Sequence, residues 1–252
     1  MAETPFVVLR DVIKRFGDGP VVLDRISLSV EQGEFVSFIG PSGCGKSTLL
    51  RLIAGLTPLS EGKLTVSGQS PEDNPADLAF VFQEPTLLPW LTAGRNVELP
   101  QKLRGIPAPD RSATRERVLE MVGLNDRSNA YPRQLSGGQK MRVSIARALS
   151  LSPKVLLLDE PFGALDEMTR ERLNEELLTI RQRQAWTAFF VTHSVAEAVF
   201  LSNRVIVMSA QPGRVHADIP IDLPYPRTSE TRLSRVYQDT VAKVSLSLRE
   251  VS

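Results

Sequence analysis

One cysteine, Cys44, occurs in 252 residues. It rules out an intramolecular disulfide framework and any multi-cysteine zinc site. Two histidines, His193 and His216, leave little material for a histidine metal centre. Neither sign of charge dominates: 30 Lys and Arg face 29 Asp and Glu, a net charge of +1. That balance gives no case for an acidic tail or a general nucleic-acid-binding surface. No apolar run approaches the roughly 18 to 20 residues that cross a bilayer. The N-terminus, Met-Ala-Glu-Thr-Pro-Phe, has no basic stretch ahead of an apolar one, so no secretory signal is expected and the chain is expected in the cytosol. Internal repeats and low-complexity segments are also missing. What is present is ordinary for a globular protein: 42 % hydrophobic and 23 % charged residues. The length suits one large domain, or a domain with a small insert.

Along the chain, residues 6–9, 21–30 and 34–39 carry β-branched or alternating apolar residues. Gly-Asp-Gly-Pro at 17–20 reads as a turn. A glycine-rich turn at 40–45 precedes a helix pattern over 46–54, which Gly55 ends. Residues 63–66 and 78–82 are short strand candidates. From about 92 to 149 the pattern is helical, with a linker expected at 104–110 and Val118, Leu119 and Val122 on one helix face. The run Val155-Leu156-Leu157-Leu158 suits a strand buried on both sides. Leu173, Leu177 and Ile180 recur at helical spacing, and 187–192 and 204–209 return to strand. Strand-helix alternation around one glycine turn implies an α/β fold with a mostly parallel sheet. Pro220, Pro224 and Pro226 read as a final linker, followed by an amphipathic helix through Leu233, Val241, Val244 and Leu248.

Three runs carry chemistry. Gly40-Pro41-Ser42-Gly43-Cys44-Gly45-Lys46-Ser47-Thr48 matches the phosphate-binding pattern G-x-x-x-x-G-K-[ST]. Its glycines let backbone N–H groups wrap a phosphate chain, and the helix that follows points its positive end at the same anion. Lys46 is expected at the β and γ phosphates and Ser47 on magnesium. The strand at 155–158 ends in Asp159-Glu160, an acid placed for the metal followed by one placed to take a proton from water. Leu135-Ser136-Gly137-Gly138-Gln139 reads as a second anion cradle, with a serine hydroxyl and two bare glycines at a helix start.

Together these runs resemble the nucleotide-binding subunit of ABC transporters, over about residues 7–215. The glycine turn is similar to Walker A, 155–160 to Walker B and 135–139 to the signature. The resemblance implies a P-loop NTPase core with an N-terminal antiparallel β subdomain and an inserted helical subdomain. It divides a single ABC ATPase domain, 1–252, into a core at 1–83 and 153–219, a helical part at 84–152 and a C-terminal linker and helix at 220–252. It gives Gln83 the part of the Q-loop glutamine on magnesium and water, Ala164-Leu165-Asp166 that of the D-loop, and His193 that of the switch histidine. Phe16 matches the residue that stacks on adenine, where the family more often has tyrosine. ATP and magnesium are the implied cofactors. Cys44 is expected under the bound triphosphate, as a small residue without a chemical task. Lys140 and Met141 depart from the family's usual Gln or Arg after the signature.

The resemblance also implies partners. One signature and one P-loop per chain require a second ATPase subunit, a homodimer closing on ATP. The apolar run Leu87-Leu88-Pro89-Trp90-Leu91, unusual for a loop, resembles the part that receives a membrane subunit. With Met168-Thr169-Arg170 it resembles the nitrate, sulfonate and taurine type of bacterial importer, which works at the cytoplasmic face of the inner membrane with an external solute-binding protein. The alternative is a soluble single-domain ABC ATPase of the cluster-assembly type. A kinase or GTPase is disfavoured, since no Asn-Lys-x-Asp run occurs. Glu160 and His193 argue against a module that holds nucleotide without turnover.

Overall fold

Alternating apolar residues build the first layer. Strands β1 (Val7–Arg15) and β2 (Val21–Val30) pair antiparallel. The computed structural model describes residues 5–73, 77–184 and 186–251. The N-terminal stretch read for a secretory signal therefore falls mostly outside the described residues. β1 runs well past the expected end at Leu9. A register break between Leu9 and Val12, with Asp11 at φ 47°, lets the strand absorb Arg10 and Asp11 and resume with Val12 facing inward.

The next strand, β3 (Phe35–Ile39), is buried along its whole length and feeds the glycine turn and α1 (Lys46–Ile53). β4 (Glu61–Val66) completes the small sheet in the order β2-β1-β4. β5 (Leu78–Val81) leads into α2 (Ala93–Leu103), α3 (Ala108–Met121) and α4 (Gly137–Leu149), which pack on one another. The linker expected at 104–110 is shorter than that. Pro107 caps α3 and Pro109 sits in its first turn, where a missing N–H costs nothing. β6 (Val155–Asp159), α5 (Glu167–Arg183), β7 (Thr187–Val191), α6 (Val195–Leu201) and β8 (Arg204–Ser209) follow.

The large sheet runs β5-β6-β7-β3-β8-β9, where β9 is Arg214–Pro220. All its pairings are parallel except β8 with β9. β9 was not expected from the sequence. It is an edge strand with exposed polar residues, and Pro220, read as the start of a linker, is its last residue. Successive residues of the central strands serve different cores. Leu156, Leu158 and Phe190 pack under the helices, whereas Val155, Leu157 and Phe189 pack under α1 and the small sheet.

The C-terminal helices α7 (Ser229–Leu233) and α8 (Arg235–Arg249) close over α6. Buried Arg227 donates to the carbonyls of Val199, Phe200 and Ser202, a cation at the C-terminal end of α6. Tyr237 adds a bond from its hydroxyl to the Ala196 carbonyl at 3.0 Å.

Candidate active site

The C-terminal ends of β3, β6 and β7 meet at one edge of the parallel sheet, where α/β folds collect ligands. After β3 the backbone turns through Gly40 and Gly45, at φ 158° and 95°. Such angles favour glycine. Gly45 caps α1 without a side-chain bond, so the first N–H groups of the helix face the loop. Lys46 is buried. Its Nζ donates to the Gly40 carbonyl at 2.8 Å and the Pro41 carbonyl at 3.0 Å, which holds the ammonium inside the turn.

Ser47 Oγ donates to Asp159 Oδ1 at 2.8 Å. Burial raises the Asp159 carboxyl above the usual carboxylate range, against the pull of that hydroxyl. Glu160, next in the chain, takes φ 47°, and its N–H donates to the Val191 carbonyl at 3.0 Å. This bend turns its side chain towards β7, where His193 Nε2 lies 2.7 Å from Glu160 Oε1. A cavity of about 280 Å³ is lined by Ser42, Gly43, Gly45, Lys46, Ser47, Thr48, Glu160, His193 and Val22. The structure thus gathers residues from far apart in the chain around one space.

Gln83 lies elsewhere. It is exposed just past β5 and lines a neighbouring cavity of about 270 Å³, which shares Glu160 and His193 with the first. Phe16 is 52 % exposed at the turn after β1, with Lys14 Nζ 4.6 Å from its ring centroid. Its free face can stack on a base. Cys44 corrects one expectation. Its side chain is fully buried in the core beneath the loop, not under the phosphate space, so only its backbone is available there.

The signature run is separate. Ser136 caps α4: its Oγ accepts from the Gln139 N–H at 3.2 Å, and Gln139 Oε1 accepts from the Ser136 N–H at 3.0 Å. Ser136, Gly138 and Gln139 line a cavity of about 370 Å³ that has no residue in common with that of Lys46. Asp166 caps α5, accepting from the Thr169 N–H at 3.0 Å, a bond that holds its carboxyl below the usual range. It too lies outside the Lys46 cavity.

Sequence reading gave no part at the site to four residues that the structure brings there. Val22 lines the cavity from β2. Gly213 lies so close behind the glycine turn that a Cβ there would overlap the Cys44 carbonyl. Arg170 and Glu197 line the Gln83 cavity. Val22, Gly213 and Glu197 belong to no motif, and Arg170 was read only within Met168-Thr169-Arg170, with no task at the site; long-range contacts place all four there.

The family model described as ABC transporter matches residues 23–163, which takes in the glycine turn, the signature and Asp159-Glu160. The chain belongs to the ABC transporter family. It is an ATP-binding subunit of that family and an ATPase. The nitrate import ATP-binding protein of Synechocystis is 49 % identical, over 86 % of this ABC subunit and 81 % of the relative. The taurine import ATP-binding protein of Rhizobium johnstonii is 47 % identical, over 82 % and 79 %. A dimeric, post-hydrolysis ATP-binding cassette bound to ADP and Pi aligns with a TM-score of 0.76 and 33 % identity, over 86 % of this chain and all of that one.

Magnesium fits the donors present. Ser47 and Asp159 offer hard oxygen ligands in contact with each other. Among the described residues no group of three or more His, Cys, Asp or Glu can hold a metal alone. Two hard oxygens suit an ion which keeps several waters and takes substrate phosphate oxygens.

Proposed function

We propose that this chain is the ATP-hydrolysing motor of a bacterial importer of nitrate-, sulfonate- or taurine-like solutes. The relatives' names support the solute class. The observation that carries the catalytic reading is the Glu160–His193 pair at 2.7 Å on the wall of the Lys46 cavity.

In this reading the backbone of 40–45, the start of α1 and Lys46 hold the β and γ phosphates, with Ser42, Gly43 and Thr48 close by, and Phe16 stacks on adenine. Ser47 and Asp159 would hold magnesium, with Gln83 joining them from the neighbouring cavity, and the ion would neutralise phosphate charge when bound. Glu160 Oε1 gives up its contact with His193 and accepts a proton from water. That water attacks the γ phosphorus, and the bond to the β-γ bridging oxygen breaks to leave ADP and phosphate. His193, freed from Glu160, donates its ring N–H to the γ phosphate.

The separate signature cavity supports a second copy. Ser136, Gly137, Gly138 and Gln139 of one subunit close on the ATP of the other, with Asp166 at the same junction. ATP binding closes this homodimer and hydrolysis opens it, with 84–152 moving as a helical unit. A membrane subunit docks at residues 87–91, which holds the ATPase at the cytoplasmic face of the membrane, and an external protein delivers the solute.

Glu160→Gln tests the reading. With ATP and magnesium the variant elutes as a dimer holding unspent ATP, and phosphate release falls by about 100-fold or more. A monomer, or turnover near wild type, defeats it.

A further inference from the structure

Glu197 is a buried carboxylate to which the reaction above gives no task. It is 5 % exposed, in the first turn of α6. Burial pushes its carboxyl upward, opposed by the Thr192 hydroxyl. An apolar side chain would fill such a position at lower cost, unless the oxygens are needed. Both oxygens are in use, and they reach different parts of the chain.

Oε2 accepts from Thr192 Oγ1 at 2.5 Å. The same hydroxyl accepts from the Ser194 N–H at 3.0 Å, so His193 is held in a turn fixed on both sides. Oε1 accepts from Asn174 Nδ2 at 3.5 Å and lies 4.0 Å from Arg170 Nε. Arg170 donates through Nη2 to the Leu165 carbonyl at 2.9 Å and through Nε to the Phe162 carbonyl at 3.4 Å. Those carbonyls sit in the turn leaving Glu160, whose own carbonyl accepts from the Gly163 N–H at 3.1 Å. The circuit closes where His193 meets Glu160.

The segments carrying Glu160 and His193 leave neighbouring strands and enter different helices. Strand pairing places their starts, but not the side chains two residues beyond β7. We propose that Glu197 and Arg170 are positioning residues that hold His193 and Glu160 at the wall of the Lys46 cavity, through the Thr192 hydroxyl on one side and the Phe162 and Leu165 carbonyls on the other. Through Leu165 the same link reaches Asp166, at the proposed subunit junction. The inference rests on the reading of Glu160 and His193 as the reacting pair.

The test uses the full chain with ATP and magnesium. Glu197→Gln keeps the shape but removes the charge facing Arg170. Its kcat is expected to fall by about tenfold to 100-fold, as misplacement of reacting groups does. KM for ATP and the melting temperature stay near wild type, because Lys46 and the glycine turn are untouched. Arg170→Met lowers kcat similarly, and the double variant is no slower than the slower single one, since both break one link. Should Glu197→Gln fail to fold, the Thr192 pair decides: Thr192→Val loses turnover and Thr192→Ser restores it. Wild-type kcat in the folded variants, multiplied losses in the double variant, or equal loss in Thr192→Ser and Thr192→Val overturns the inference. Glu160→Gln measured alongside separates the two readings. An inactive Glu160→Gln with a fully active Glu197→Gln removes only the positioning link, whereas an active Glu160→Gln removes both.

Discussion

Two glycine-rich turns open helices in this molecule, and they are built on different terms. At the phosphate turn, the chain's own backbone demands the glycines. A Cβ on Gly40 would lie 2.5 Å from the Met208 carbonyl and 2.9 Å from Cys44 Sγ, and one on Gly45 would lie 2.5 Å from Leu23 Cδ2. Gly213 presses on the same turn from behind. At the signature, Gly137 has no positive φ, and a Cβ there would meet only Leu165 Cδ2, at an ordinary 3.4 Å. Ser136 and Gln139 already satisfy each other. Among the described residues, no contact explains why Gly137 lacks a side chain. On the reading proposed above, the demand is that of nucleotide carried by a second subunit.

The contrast breaks most easily at Gly213. Gly213→Ala puts a methyl where the Cys44 carbonyl lies, so the phosphate turn must shift. Overpacking of this kind costs about 1–3 kcal/mol. The variant should melt earlier and bind ATP at least about tenfold more weakly, because the backbone N–H groups lose their alignment. Nucleotide titration and a thermal melt check both. Wild-type affinity would mean that the turn adapts, and that its glycines are less constrained than the close contacts imply.

Gly137→Ala is the reciprocal experiment and should affect stability far less. The change is expected to leave folding within about 0.5 kcal/mol of wild type, as surface substitutions do. ATP binding by the single subunit should not move. Turnover should fall by about tenfold or more, because a methyl blocks the approach of a phosphate to backbone N–H groups. In the Glu160→Gln background it should also abolish the ATP-trapped dimer. Full turnover in Gly137→Ala would remove the argument that a second subunit reads this turn.

The same contrast marks what could be read from the chain. Both turns and Asp159-Glu160 were visible because their residue types are contiguous and sit at strand or helix ends, whereas His193 was marked only by the family resemblance. The parallel central strands were visible because burial on both faces leaves unbroken apolar runs. Glu197 and Gly213 were not visible, and Arg170 was visible only within Met168-Thr169-Arg170, without a task at the site. Each acts through a partner more than 20 residues away, and the type alone, a charge on a helix or a glycine in a turn, fits many blander uses. β9 was hidden because an edge strand with polar, exposed positions has no apolar pattern to display. The thiol of Cys44 was misplaced because a tight turn sends neighbouring side chains to opposite sides, and sequence spacing does not show which one faces the core.

Residues 87–91 extend the comparison to the weakest expected effect. This loop is firmly held: buried Asn96 accepts from the Leu88 N–H at 2.8 Å and donates to the carbonyls of Leu88, Leu91 and Thr92. Arg147 donates to the Pro85 and Thr86 carbonyls at 2.9 and 2.8 Å. A loop so fixed nonetheless leaves Trp90 68 % exposed. As at Gly137, the chain's own packing does not account for the residue. Leu88→Ala with Trp90→Ala should therefore leave the isolated subunit's ATP turnover within about twofold of wild type, and cost little stability beyond the partly buried leucine. If residues 87–91 dock the membrane subunit as proposed, uptake by the reassembled importer should drop, because a large apolar anchor is lost. A matching loss of turnover in the isolated subunit would instead tie Trp90 to the subunit's own fold, and the docking surface would have to be sought elsewhere.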